Sequence, residues 1–257
     1  MSFFECRNLK YSYGKKEVLG GVTFSAEAGE LVGIIGANGS GKTTLMKSIC
    51  SLIKGDGRVM LCGENLADKS DREIAKAISY IPQRSGIDVS ISVLDATLMG
   101  FNAEMSLLSR YTDSQRERAK AALAEVGIGH LSSRDYQSLS EGEKQLCIIA
   151  RSFVSHKKML LMDEPESSLD FRNRNYVIGL IKNKLKENGN VAIVCLHEPS
   201  VALRYCDRLV LINKGKCIAQ LKPIEDKIEY MEEKLKQIYG NITLAKVNGG
   251  VVMLPDD

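Results

Sequence analysis

Nothing in this sequence approaches the run of about 20 apolar residues that a membrane span needs, and Met1 leads into no signal-peptide pattern. The expectation is a protein that stays in the cytoplasm. Charge of one sign is also lacking: the formal balance is only +3, too small to argue for nucleic acid or for direct attraction to a membrane surface. The seven cysteines (Cys6, Cys50, Cys62, Cys147, Cys195, Cys206 and Cys217) are odd in number and contain no CxxC pair. With only His130, His156 and His197 beside them, no zinc spacing can be assembled, and the cysteines read as small, buried, reduced apolar residues. Internal repeats, low-complexity segments and long heptad stretches are likewise missing. What is present is ordinary for an ordered protein: 44% hydrophobic and 26% charged residues over 257 positions, enough for one large α/β domain or a core with an inserted subdomain.

The chain is organised in blocks. Its first ~30 residues alternate apolar and polar positions, with turn signals at Tyr13-Gly14 and Gly20-Gly21, which suggests an antiparallel sheet. Leu31–Ile35 is a continuous apolar run, as expected of a strand buried on both faces, and it opens into a Gly-rich loop and a helix beginning near Lys42. From 85 to 139 the pattern turns helical. Ser92 caps a helix through Phe101, and Thr112-x-x-Gln115 is a capping box for a helix ending at Gly127. With no apolar strand between them, these read as an inserted helical subdomain.

The α/β pattern then resumes. Ser140-x-x-Glu143 is a second capping box, followed by Leu146, Ile149, Ala150, Phe153 and Val154 at helical spacing. Met159–Met162 is a buried strand ending in Asp163-Glu164, and Val191–Leu196 is a third, ending at His197. Groups at strand ends of a parallel sheet are where such folds keep ligands. The expected division is 1–84 and 140–222 for the core with its antiparallel sheet, 85–139 for the helical part and 223–257 for a C-terminal extension. In that tail Ile224, Ile228, Met231, Leu235 and Ile238 form an apolar stripe on a helix stopped by Gly240, and Asn248-Gly249-Gly250 reads as a hairpin turn.

One motif carries the chemistry. Gly36-Ala37-Asn38-Gly39-Ser40-Gly41-Lys42-Thr43 fits G-x-x-x-x-G-K-[ST] at every fixed position and sits between a strand and a helix, the context it requires. Glycines let successive backbone N–H groups turn toward phosphates, and the helix N-terminus adds partial positive charge. Lys42 reaches the β- and γ-phosphates, and the Thr43 hydroxyl supplies one Mg²⁺ ligand. The nucleotide-binding set is thus Gly36, Asn38, Gly39, Ser40, Gly41, Lys42, Thr43 and Thr44. Asp163, behind a buried strand, is placed to hold the metal, and Glu164 to polarise attacking water as a general base.

Leu139-Ser140-Glu141-Gly142-Glu143-Lys144-Gln145 resembles the signature of ABC ATPases, and with the phosphate loop, Asp163-Glu164, Ser168-Leu169-Asp170 and His197 the likeness extends along nearly the whole chain. The resemblance implies an α/β P-loop NTPase fold: a RecA-like core, an antiparallel β subdomain and an inserted helical subdomain. It implies ATP and Mg²⁺ as cofactors. It places Tyr13 as the residue stacking on adenine, with Tyr11 as a competitor, Gln83 as a contact of Mg²⁺ or the attacking water, and His197 as the γ-phosphate histidine. Ser140, Gly142 and Asp170 would act in trans, on ATP held by a second copy. Position 141 is glutamate where glycine is commonest, and 143 is glutamate where glutamine is common. Unless Glu141 projects outward, its charge repels the nucleotide.

One phosphate loop and one signature per chain make a symmetric two-site homodimer the simplest closure. The segment from Ser92 to Gly100 and the tail with Tyr239-Gly240 look like the ferric siderophore, haem and cobalamin uptake branch, although Phe101 stands where an arginine is common. That likeness implies permease subunits as partners, an extracytoplasmic substrate-binding protein in the full system, and a peripheral position on the inner face of the cell membrane. The competing readings are a soluble non-transport ATPase of the iron–sulfur assembly type and a regulatory module that closes on ATP but hardly hydrolyses it. Intact Lys42, Asp163, Glu164 and His197 argue against the last.

Overall fold

The computed structural model describes residues 2–83, 86–106, 109–247 and 250–256. Strands β1 (Phe4–Tyr13) and β2 (Lys16–Ala26) pair antiparallel through a turn at Gly14-Lys15. With β4 (Asp56–Leu61) and β5 (Glu64–Asn65) they form a four-stranded sheet in the order β2-β1-β4-β5. Gly20 and Gly21 are not a turn: both lie inside β2. Leu9 faces Val22 while Lys10 faces Gly20, so Gly21 is the extra residue of a bulge, with φ 98°. A side chain there would meet Asn8 Oδ1 at 2.7 Å, which is why the position is glycine.

The second sheet has six strands in the order β10-β9-β3-β8-β7-β6. Its members are β3 (Leu31–Ile35), β6 (Ile78–Ile81), β7 (Met159–Asp163), β8 (Val191–Cys195), β9 (Arg208–Asn213) and β10 (Lys216–Leu221). All neighbours are parallel except β9 and β10, an antiparallel pair at the edge. Every residue of β3, β7 and β8 is buried, which explains why they read as unbroken apolar runs.

Alternate residues of β3 feed two cores. Val32 and Ile34 face α1 (Lys42–Ile49) and the four-stranded sheet, packing with Phe4, Phe24, Leu45 and Met46. Leu31 and Ile35 join the other core, on the side of the remaining helices. After α2 (Asp71–Ala77), these are α3 (Val93–Leu98), α4 (Asp113–Glu125), α5 (Glu141–Phe153), α6 (Phe171–Asn188) and α7 (Pro199–Tyr205). The expected caps are present: Ser92 accepts from the Asp95 N–H, and full capping boxes open α4 at Thr112 and α5 at Ser140. Phe101 is buried in the helical part with the Arg118 guanidinium over its ring at 5.3 Å, an apolar anchor with a cationic lid.

In the tail, α8 (Ile228–Tyr239) buries Met231 and Leu235, but Ile224 lies before the helix and is 82% exposed, so the expected stripe is one residue shorter. β11 (Ile242–Val247) and β12 (Gly250–Pro255) pair antiparallel; the turn expected at Asn248-Gly249 lies outside the described residues. Among the cysteines, Cys6, Cys50, Cys147, Cys195 and Cys206 are buried and free. Two depart from the expectation: Cys217, in β10, is half-buried, and Cys62 departs further. It is exposed, because Cys62-Gly63 forms the two-residue β4–β5 turn with φ 52° and 80°.

Candidate nucleotide site

The phosphate loop leaves the C-terminal end of β3, where the sheet's strands bring their last residues together. Gly36 is buried against β9: a Cβ on it would lie 2.2 Å from the Ile212 carbonyl oxygen and 2.7 Å from Ser40 Oγ. Gly39 and Gly41 have φ of 75° and 105°, conformations that turn the loop around its interior. Lys42 is only 8% exposed, and its Nζ donates to the Gly36 carbonyl at 2.8 Å and to the Ala37 carbonyl at 3.2 Å. The ammonium thus sits at the mouth of the loop, held by weak neutral acceptors that an anion would outcompete. Ser40 and Thr44 are buried, while Asn38, Gly39 and Thr43 face solvent.

The Gly36 contact yields a stability prediction. Gly36→Ala forces the loop off β9, and overpacking of this kind costs about 2 kcal/mol. Thermal unfolding without nucleotide should show a Tm lowered by about 4–8 °C. An unchanged Tm would mean that β9 yields without cost.

Two neighbouring strand ends supply the acidic groups. Asp163, last in β7, is 2% exposed, and its Oδ2 is buried with no hydrogen-bond partner among the described residues. A cation would satisfy an acidic oxygen in that position, and the Thr43 hydroxyl and the Gln83 amide oxygen are further hard oxygen donors of the kind that suits Mg²⁺. Behind it, the fully buried Cys195 thiol is pushed well above its usual range, chiefly by burial, and stays protonated.

Glu164 follows with φ 52°, a left-handed conformation that costs about 1 kcal/mol or more in a residue with a side chain. It is held by its N–H, which donates to the Cys195 carbonyl at 3.0 Å, and by its carbonyl, which accepts from the Ser167 N–H at 3.2 Å. This backbone turn directs the carboxylate out of the sheet, where Gln83 Nε2 donates to Glu164 Oε2 at 2.6 Å. Gln83 and Glu164, 81 residues apart in sequence, are therefore in direct contact.

His197, just beyond β8, has an exposed side chain and donates its backbone N–H to Glu166 Oε1 at 3.0 Å. Sequence reasoning missed Glu166, since a third carboxylate in an acidic turn reads as solvated. It is 4% exposed.

Of the two candidate tyrosines, Tyr13 is 52% exposed at the β1–β2 tip, whereas Tyr11 packs on the core and meets Tyr13 edge-on at 4.9 Å. Val18 and Leu19 of β2 border Gly41, so this hairpin runs beside the phosphate loop. A second missed residue is Tyr239 at the end of α8, whose half-buried hydroxyl is hydrogen-bonded by the Gly36 backbone while burial pushes it up to about 12.

Ser140 opens α5 at the surface. Its hydroxyl bonds Glu143 Oε2 at 2.8 Å, and contact with Ser140 holds the Glu143 carboxyl below the usual carboxylate range. The charge at 143 is thus spent on the helix cap. Glu141 lies at the surface, its side chain 78% exposed and paired with Lys144 at 2.8 Å, which offsets its charge. Gly142 lies against the Ser168 carbonyl, and Asp170 caps α6 by accepting from the Asn173 N–H at 2.8 Å. Among the described residues no hydrogen bond joins Ser140, Gly142 or Asp170 to the phosphate loop of the same chain.

The family model for ABC transporters matches residues 19–167, more than half of the chain and including the phosphate loop, the signature and Asp163-Glu164. This chain belongs to the ABC transporter family. Within it, the cassette is 33% identical to the manganese transport system ATP-binding protein of Listeria monocytogenes, over 95% of this chain and 99% of that one. It is 35% identical to the hemin import ATP-binding protein of Rhizobium etli, over 84% and 83%. Among solved structures it superposes on an ATP-binding cassette of an ABC transporter in its ADP conformation with a TM-score of 0.80 at 26% identity, covering 93% of this chain and 98% of that one. The cassette is an ATPase with the P-loop NTPase fold. None of its described helices is long and apolar enough to cross a membrane.

Proposed function

We propose that this ABC cassette works as a pair of identical subunits powering uptake of a metal chelate through a separate permease, with an extracytoplasmic protein delivering the cargo. The observation that carries the pairing is that, among the described residues, no hydrogen bond joins the Ser140 helix start to the phosphate loop of its own chain. Each is half of a phosphate site, and a second copy supplies the missing half of both. The division into a core (1–84 and 140–222), a helical part (85–139) and a tail (223–257) accompanies this reading.

In the closed pair Lys42 and the loop N–H groups bind the β- and γ-phosphates and Tyr13 stacks on the adenine. Ser140 and Gly142 of the second copy cap the γ-phosphate, with Asp170 at the interface. Thr43, Asp163 and Gln83 would hold Mg²⁺, which would supply charge neutralisation at the phosphates when bound. Glu164 takes the proton from water as it attacks the γ-phosphorus, the bond to the β-phosphate oxygen breaks, and His197 donates a hydrogen bond to the departing phosphate. Gln83, in contact with Glu164, ties this base to the neighbouring helical part. Loss of the γ-phosphate removes the shared ligand, and the pair opens.

The hemin and manganese relatives support import and a metal-containing cargo, with iron siderophore, haem and cobalamin as the candidate chelates. Their transport names do not favour the iron–sulfur assembly role. A tagged Glu164→Gln cassette retrieved from detergent-solubilised native membranes with MgATP should bring down a polytopic permease, identified by mass spectrometry. Recovery of soluble partners alone, from an efficient extraction, would refute the transport assignment. This partnership would hold the cassette at the cytoplasmic face of the membrane.

A further inference from the structure

Glu166 is a buried carboxyl that the reaction scheme above does not use. It lies in the turn between β7 and α6, two residues beyond Glu164, yet its side chain is 4% exposed. One oxygen accepts the His197 backbone N–H at 3.0 Å, and the other is buried without a hydrogen-bond partner among the described residues. Burial raises its pKa above the ordinary carboxylate range, against the opposing pull of that N–H. A carboxyl kept in such a place must return something for its desolvation, since an apolar residue would pack there at lower cost.

Its surroundings show what it joins. The 164–170 turn carries Glu164 at one end and Asp170 at the other. The turn after β8 carries His197. Two bonds connect these turns: Glu164 N–H to the Cys195 carbonyl and His197 N–H to the Glu166 carboxyl. A third tie runs from Arg174 of α6 to Glu198, the residue after His197. Of the three, the Glu166 bond acts on the histidine's own peptide and sits between the base and the histidine.

We infer that Glu166 is a positioning residue for ATP hydrolysis, its buried carboxyl fixing the His197 turn to the Glu164 turn so that base and histidine meet one γ-phosphate together. The inference rests on the assignment of His197 to the γ-phosphate. Removing the acceptor strands the His197 N–H in a half-buried site and frees the turn to shift. The ground-state grip on ATP, set by Lys42 and the phosphate loop, does not pass through this bond. Loss of Glu166 therefore falls on kcat and not on KM.

The test compares Glu166→Met, which fills the space without an acceptor, with Glu166→Gln, which keeps the acceptor and is neutral. His197→Ala and the Glu166→Met/His197→Ala double variant complete the cycle, and thermal melts confirm that each protein is folded. Glu166→Met should lower kcat about tenfold or more with KM for ATP within about twofold of the parent. Glu166→Gln should restore kcat to within about threefold of the parent, because the N–H regains its partner. In the His197→Ala background Glu166→Met should add little further loss, the mark of two residues acting through one contact. A parental kcat in Glu166→Met, a Glu166→Gln as slow as Glu166→Met, or full additivity with His197→Ala would each overturn the inference. His197→Ala with parental turnover would instead remove the underlying assignment of the histidine, a distinguishable result.

Discussion

Glu164→Gln should reduce steady-state ATP hydrolysis by about 10²- to 10⁴-fold, the range that a general base contributes. The substitution isolates charge from shape. Glutamine matches glutamate in size and meets the same backbone demand at φ 52°, and the ties of that turn to Cys195 and Ser167 are main-chain bonds that do not change. The Gln83 amide, which donates to Glu164 Oε2 at 2.6 Å, still finds an acceptor in the new side-chain carbonyl. What disappears is the proton acceptor for water. A carboxylate facing a γ-phosphate also repels it, so its neutralisation should leave ATP affinity equal or higher. Bound but unhydrolysed ATP then accumulates between two subunits, and the variant should elute from a sizing column as a dimer with MgATP and as a monomer without it. Parental turnover would remove Glu164 from its role. Loss of turnover without an ATP-dependent dimer would leave the base in place and refute the two-chain site.

The parts of this site that could be read in the sequence are those whose physics is local. The Gly36–Thr43 motif lies within eight consecutive residues, and the capping boxes at Thr112 and Ser140 each span four. Buried parallel strands announce themselves as apolar runs, and the runs before Asp163 and His197 place both residues at strand ends. What was hidden depends on partners far along the chain. Gly20-Gly21 looks like a turn until the register with Asn8 and Leu9 makes it a bulge. The edge strand β10 has no continuous apolar run, and its pairing with β9, which in turn lies beside β3, defines it. Glu166 reads as solvated because its burial and its N–H donor come from a turn 31 residues away. The tail gives no sign in sequence that it returns to the site. Yet Tyr239 reaches Gly36, and the Met253 N–H bonds Ser200 Oγ at 3.0 Å, three residues beyond His197.

Lys42→Ala should abolish measurable nucleotide binding. Two charge-assisted bonds to phosphate oxygens contribute about 3 kcal/mol or more together, so Kd rises at least ~100-fold, beyond what calorimetry resolves for a site of ordinary affinity. The fold should survive. Among the described residues Lys42 Nζ bonds just the neutral Gly36 and Ala37 carbonyls of its own loop, so no ion pair is lost, and alanine is the best helix former at the first position of α1. The melting temperature without nucleotide should therefore change little, while the stabilisation that ATP gives the parent protein should vanish. Lys42→Arg separates charge from fit. It keeps the positive charge but brings a planar fork into a loop whose mouth is closed by two carbonyls 2.8 and 3.2 Å from a single nitrogen. Its affinity should fall well below that of the parent, though less far than in Lys42→Ala. If Lys42→Ala binds ATP normally, the ammonium does not hold phosphate and the Gly36–Thr43 loop is not the nucleotide site. If Lys42→Arg binds as tightly as the parent, charge alone suffices there and the geometry of the loop mouth carries no selectivity.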